Sequence, residues 1–338
     1  MTNVKRYFAA HARANLKPFI YILVVVLALT LMIGIEAQPG DRYDYVAQQW
    51  YEDYKSTLFL PVTFMCILTY VIPVMEFSFF KRRISLDCAY SLPISRRAMG
   101  AVHYLVGLIM LLTTFSASYL VNFILLLTRG PGWFDFVPMI GHYFLCLLLG
   151  FAMYSVIVFV FNEANTAGDG IWFIVLYSFV FPIIASALDG VLELKELVFD
   201  VYGGVLWGTI DLMTTSYQHL VEINAAGLAS FFELPYNIFW LVFWIALGIA
   251  SAVGFFLTFG RRRMEKTEEI SDSFFGFRTL IPIYAVCGMI LFEVSYSVIF
   301  WLIIEVLTIL GYTIYRRGFH YRKSDIAVML LLLIFLFV

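Results

Sequence analysis

Five ionisable residues lie within long apolar runs or at their ends: Glu76, Glu293, Glu305, His103 and His142. A charged group in lipid is costly, so each starts as a candidate site. An ion-coupled carrier would set such groups deep in the bilayer, facing one cavity. Glu305, within FWLIIEVLTIL, is the clearly deep one, and Glu293 lies in the same C-terminal pair of runs. Glu305 reads either as that carrier site or as a hydrogen-bonded packing residue. Glu76, His103 and His142 read as interfacial groups near helix ends. Other chemistry lacks its residues. There is no GxxxxGK[ST] loop to hold ATP phosphates and magnesium, no HExxH pair and no GxSxG elbow. The cysteines Cys66, Cys88, Cys146 and Cys287 form no CxxC pair, so neither a disulfide framework nor a zinc site is suggested. The chain is expected not to be an enzyme, to carry no cofactor or metal of its own and to bind no nucleic acid.

The second candidate is a polar segment, Lys81 to Gly100, KRRISLDCAYSLPISRRAMG. It is too polar for lipid and is held between two apolar runs. Lys81, Arg82 and Arg83 open it, and a helix-compatible stretch runs from Ile84 to Tyr90 with Asp87 in its middle. Pro93 ends that helix, because it lacks an N–H and restricts the residue before it. Arg96 and Arg97 precede the next apolar run.

The elements that must position these residues are transmembrane helices. Of the 338 residues, 62% are hydrophobic and only 14% charged, against roughly 25% charged in an ordinary soluble domain. The fold class is therefore all-α and polytopic. A crossing needs about 20 apolar residues, and six runs qualify over 1–263: Pro18–Ile35, Thr57–Phe79, Ala101–Leu127, Pro138–Phe161, Ile171–Leu188 and Pro235–Phe259. The basic segment Asn3 to Lys17 before them reads as an amphipathic surface helix or a topology anchor. Glu36–Ser56 reads as a polar, aromatic loop. Asp189–Leu234 reads as amphipathic helices over the outer ends of the spans, with an apolar stripe at Val191, Leu194, Leu197 and Val198 and aromatics Tyr202, Trp207 and Tyr217 for an interfacial belt. Its carboxylates Asp189, Glu193, Glu196, Asp200 and Asp211 would attract a cationic peptide, or else reflect the exclusion of Lys and Arg from outer loops.

A second region, 264–338, begins with a polar linker, Met264–Thr279. Leu280–Ile314 would be about 52 Å long as one helix, too long for one crossing, so two spans joined by a turn near Glu293–Ser297 are expected. Ile326–Val338 would reach only about 20 Å and falls short of a full crossing. With the N-terminus inside, 18 of the 22 lysines and arginines fall on inner segments, leaving only Arg42, Lys55, Arg129 and Lys195 outside. The positive-inside rule therefore favours a cytoplasmic N-terminus in a multi-pass plasma-membrane protein.

Arg83, Asp87, Ser91-Leu92-Pro93, Ile94-Ser95-Arg96 and Arg97, set between the second and third of six spans, resemble the coupling segment of permease subunits of ATP-binding-cassette transporters of the type-2 exporter family. The six-span layout over 1–263 and the short inner loop Asn162–Gly170 resemble the family as well, and the polar linker after Arg261-Arg262-Arg263 is similar to that of members with added C-terminal spans, common in Gram-positive bacteria. The resemblance implies a separate cytosolic ATPase subunit, which would bind the ATP and magnesium. It also implies a second permease chain, identical or paralogous, and export of a hydrophobic, amphipathic or peptide substrate. Ile84, Leu86 and Tyr90 would form the ATPase-docking surface, together with Leu92 and Pro93, and Arg82, Arg83, Arg96 and Arg97 would be its electrostatic partners. The arginines equally serve topology. Two other classes stand beside this one: an ion-coupled carrier using Glu305 or Glu293, and a non-transporting membrane sensor that binds its ligand through 189–234.

Overall fold

A computed structural model describes residues 2–36, 40–44, 49–53, 59–129, 136–192, 209–210, 212–213, 235–261, 267–271, 273–293 and 298–335. The described elements are α1 (Thr2–Ala14), α2 (Leu16–Glu36), β1 (Gly40–Asp44), β2 (Gln49–Asp53), α3 (Phe59–Phe77), a 3₁₀ turn (Ser78–Lys81), α4 (Arg83–Tyr90), α5 (Arg96–Arg129), α6 (Phe136–Glu163), α7 (Ala167–Leu192), α8 (Pro235–Phe259), α9 (Phe277–Glu293), α10 (Val298–Arg316) and α11 (Lys323–Phe335). The protein is a helical, multi-pass membrane protein. Six described stretches are long and apolar enough to cross a bilayer: Leu16–Glu36, Phe59–Lys81, Arg96–Thr128, Met139–Glu163, Ala167–Ile184 and Asn237–Phe259. Each coincides with a run expected from the sequence. The segment between the first two is not wholly irregular, since β1 and β2 pair antiparallel with Gly40 opposite Asp53. Most of Asp189–Leu234, including Tyr202, Trp207 and Tyr217, lies outside the described residues. Of the expected stripe, Val191 falls in the last turn of α7.

Local chemistry sets the helix ends around the polar segment. α4 stops at Tyr90, three residues before Pro93. The next helix begins further back than its apolar run, at Arg96, because Ser95 caps it: the Ala98 N–H donates to Ser95 Oγ (3.3 Å). At 34 residues, α5 is about 51 Å long, more than a bilayer needs. Thr166 caps α7 in the same way, receiving the Asp169 N–H at 3.0 Å, and Asp169 in the first turn suits the positive end of the helix.

The chain divides into two compact units. The first comprises Met1–Glu76, Leu92–Ile157 and Ile210–Gly260. Within it α2 packs on α5 through a small polar seam. The Thr30 hydroxyl lies 2.8 Å from that of Ser118, and at Gly34 a Cβ would come within 2.8 Å of Leu125. α8 approaches α6 most closely at Gly248, where a Cβ would sit 2.5 Å from the Ala152 backbone. Lipid gives no hydrophobic drive for helices to associate, so such small-residue contacts supply packing by letting backbones meet.

The second unit comprises Phe77–Ser91, Val158–Thr209 and Arg261–Val338. Here α9 lies along α7. Phe173 and Phe277 meet edge to face at 4.8 Å, and the Tyr284 hydroxyl donates to the Leu176 carbonyl. Ala285, Met289, Ile304 and Leu332 then join α9, α10 and α11 in one apolar cluster. Arg316 makes a two-bond fork with Asp325 (2.9 and 3.1 Å), and Asp325 reaches back to the Arg322 N–H at 3.0 Å, the N3 half of a capping box. Burial alone would raise the Asp325 pKa, but the Arg316 and Arg322 hydrogen bonds hold it below the usual carboxylate value. α9 has 17 residues, about 25 Å, and α11 has 13, about 20 Å. Both are shorter than the roughly 30 Å hydrocarbon core.

Candidate functional site

α4 carries the first part of the polar segment. Arg82, Arg83, Ile84 and Asp87 are exposed, and Ile84 is bare to 84% of its surface. Leu86 was expected beside Ile84 on an outward docking face. It turns inward instead, 2% exposed, and so seats the helix. The Tyr90 side chain lies outside the described residues. Beyond the helix, Ser91, Leu92, Pro93, Ser95, Arg96 and Arg97 are all exposed.

The mount beneath α4 is built from backbone carbonyls. Lys81 reads in the sequence as the first charge of a basic block, yet it is buried. Its ammonium donates to the carbonyls of Phe161 (2.8 Å), Asn162 (3.1 Å) and Ala164. Phe161 and Asn162 are in the last turn of α6 and Ala164 follows it, and the carbonyls at a helix C-terminus attract a cation. The Lys81 ammonium also lies 5.0 Å from the Phe161 ring centre. Arg83 fixes the linker that follows α8. Its Nε donates to the Thr267 carbonyl at 2.9 Å, and its side chain lies 3.8 and 3.9 Å from the carboxylates of Glu268 and Glu269. The linker is tied in turn to the loop after α6. The Ser271 hydroxyl donates to the Glu163 carbonyl (2.8 Å), and the Ser273 hydroxyl to the Glu163 carboxylate (2.6 Å). Glu268, Glu269, Ile270, Arg316, Arg317 and Arg322 line a charged cleft of about 390 Å³ on the same unit.

A second polar site lies in the first unit and joins residues that the sequence reading kept apart. Glu76, near the end of α3, is 3% exposed at its side chain, and His103 on α5 is 5%. Both are buried within the protein. The Glu76 Oε2 lies 3.1 Å from His103 Nδ1 and 2.8 Å from His11 Nε2 of α1. The Asn15 amide donates to Glu76 Oε1 at 2.9 Å, and the Tyr7 hydroxyl lies 3.0 Å from His103 Nε2. Burial pushes the Tyr7 phenol up, and the Glu76 charge adds to it, so the hydroxyl keeps its proton. Tyr7, His11 and Asn15 recur every four residues and so share one face of a helix, and that spacing was the available signal. Among the described residues, His11, Glu76 and His103 are the set whose ligand atoms all lie within 4.8 Å of one another.

Two further features complete the polar inventory. His142 is buried, with Nε2 3.2 Å from the Met213 carbonyl and Nδ1 3.1 Å from the Tyr119 hydroxyl. Beside it Ser116, Tyr119, Phe123, Met139 and Tyr143 line an aromatic pocket of about 330 Å³, in which the Ser116 and Tyr143 hydroxyls lie 2.7 Å apart. In α10, Glu305 is buried, and its Oε2 has no hydrogen-bond partner among the described residues. The side chain of Glu293 lies outside them. No protein-family model, curated protein or solved structure matches this chain.

Proposed function

We propose that this chain is the membrane-embedded permease subunit of an ATP-driven exporter similar to the type-2 ATP-binding-cassette family. It would work with a separate cytosolic ATPase and a second permease chain in the plasma membrane, with its N-terminus and α4 on the cytoplasmic side. One observation carries this reading: a short helix with an outward-facing Ile84 among Arg82, Arg83 and Asp87, tied down beside it by the Lys81 and Arg83 hydrogen bonds. A bare apolar side chain ringed by charge is what a soluble partner can grip. The Lys81 and Arg83 bonds would pass the displacement on instead of absorbing it, as a coupling element with two arrangements requires. The aromatic pocket at Ser116, Tyr119 and Tyr143 would suit an acyl chain or an apolar peptide side chain, with hydroxyls for a polar end.

The test is a pull-down of the tagged full chain in mild detergent, compared with an Arg82→Glu/Ile84→Asp double variant. Both positions are exposed, so the fold survives the change. An ATPase that co-elutes with the parent and is lost from the variant supports the reading. A well-folded parent with no ATPase overturns it. The second reading, an ion-coupled carrier, rests on the buried Glu305, whose Oε2 has no hydrogen-bond partner among the described residues. It requires gradient-driven uptake that Glu305→Gln abolishes without any ATPase.

A further inference from the structure

We propose that His11, Glu76 and His103 form a binding site for one divalent transition-metal ion of the zinc class, which clamps α1 to α3 and α5. This departs from the sequence expectation that the chain holds no metal, and it stands independently of the exporter reading.

The argument begins with charge. The Glu76 carboxyl is buried, and the groups bonded to it are the Asn15 amide and the imidazoles of His11 on α1 and His103 on α5. A buried carboxylate needs a positive counter-charge. Here that charge is either a proton on an imidazole or a cation held by all three groups. Asn15 Nδ2 lies 2.9 Å from His11 Nε2 as well as from Glu76 Oε1. An amide nitrogen only donates, so this contact asks for a bare lone pair on His11 Nε2. The same nitrogen lies 2.8 Å from Glu76 Oε2, where a carboxylate asks it to donate. A cation would take the lone pairs of His11 Nε2 and Glu76 Oε2 together, and the Asn15 amide would then donate to Glu76 Oε1 alone.

Geometry and ligand type point the same way. Two imidazole nitrogens and one carboxylate oxygen suit zinc and its neighbours, not magnesium or calcium, which take oxygen ligands. Metal–ligand bonds of 2.0–2.1 Å place tetrahedral ligand atoms about 3.3 Å apart. The observed 2.8 and 3.1 Å around Oε2 open to that with shifts of a few tenths of an ångström. His103 has its outer nitrogen on the Tyr7 hydroxyl, the kind of supporting bond that orients a metal-bound imidazole. His11, with 15% of its side chain exposed, gives the ion a way in. Three protein ligands leave a fourth position for water.

The full chain in detergent is stripped with chelator, equilibrated with buffered micromolar Zn²⁺, and its metal content measured alongside its thermal midpoint. The expected result is about one zinc per chain and a midpoint that rises with zinc concentration. Both effects are lost in His11→Gln and in Glu76→Gln, and both are kept in Cys146→Ala and His320→Gln. The parent chain loaded with Co²⁺ supplies a readout free of any variant, namely the visible absorption of a low-coordinate nitrogen–oxygen site. A folded parent that binds less than about a tenth of an ion per chain overturns the proposal. So does zinc retained by His11→Gln, or a cobalt spectrum no different from the aqueous ion.

Discussion

The two polar constructions of this protein solve the same problem in different ways. Around Glu76 of α3, one carboxylate is taken out of solvent and surrounded by neutral-capable groups from α1, from Asn15 just after it and from α5. Around α4, cations meet backbone carbonyls and linker carboxylates, and part of the charge stays in contact with water. The first arrangement depends on every member being present, because a missing partner leaves a buried polar atom without a bond. The second is graded. It combines a buried cation whose loss is costly with exposed ion pairs whose loss is cheap.

That gradation is open to direct test by unfolding titrations of the purified chain. Lys81→Met removes the buried ammonium from the carbonyls of Phe161, Asn162 and Ala164, and taking a donor from a buried acceptor costs about 1–3 kcal/mol each, for an expected loss of about 3 kcal/mol. A loss below about 1 kcal/mol would mean that Lys81 is no more structural than a surface lysine. Glu76→Leu, measured in metal-free protein, removes charge and acceptor together. It takes one acceptor from the Asn15 amide and from each of two imidazoles, for an expected loss of about 2 kcal/mol. A neutral or stabilising result would place the cluster with buried polar networks that an apolar residue replaces well. The smallest effect belongs to Arg83→Ala. The Arg83, Glu268 and Glu269 side chains are all more than half exposed. The expected change is under about 1 kcal/mol and shrinks further in high salt. A large, salt-insensitive loss would erase the contrast between the two cations of one platform.

Much of the architecture is legible in the sequence. The six long spans follow from apolar length alone, and Pro93 stops the coupling-like helix as its chemistry demands. The sequence also misleads where partners are distant. Lys81 sits in a run of three cations and reads as solvated, yet its acceptors lie 80 or more residues later in the chain. His11 and Glu76 are 65 positions apart, and Tyr7 and His103 are 96 apart. Each looks unremarkable in its own segment. Hydropathy records which residues enter the bilayer, but not which polar groups meet there. Leu86 shows the same limit at short range. An eight-residue helix carries too little pattern to tell which of Ile84 and Leu86 faces inward.

The Lys81 bonds also set a timetable for biogenesis. The residues that receive its ammonium follow it by 80 or more positions, and at about 5–20 residues per second a ribosome needs roughly 4–16 s to make that length. Throughout that interval the second span ends in an uncompensated cation, which can hold the nascent helix at the membrane surface. When the end of α6 emerges, the same ammonium moves from anchoring a nascent hairpin to joining two finished spans. A pause or truncation between these two segments would leave a chain correctly threaded but not yet fastened, the form a membrane quality-control protease can recognise.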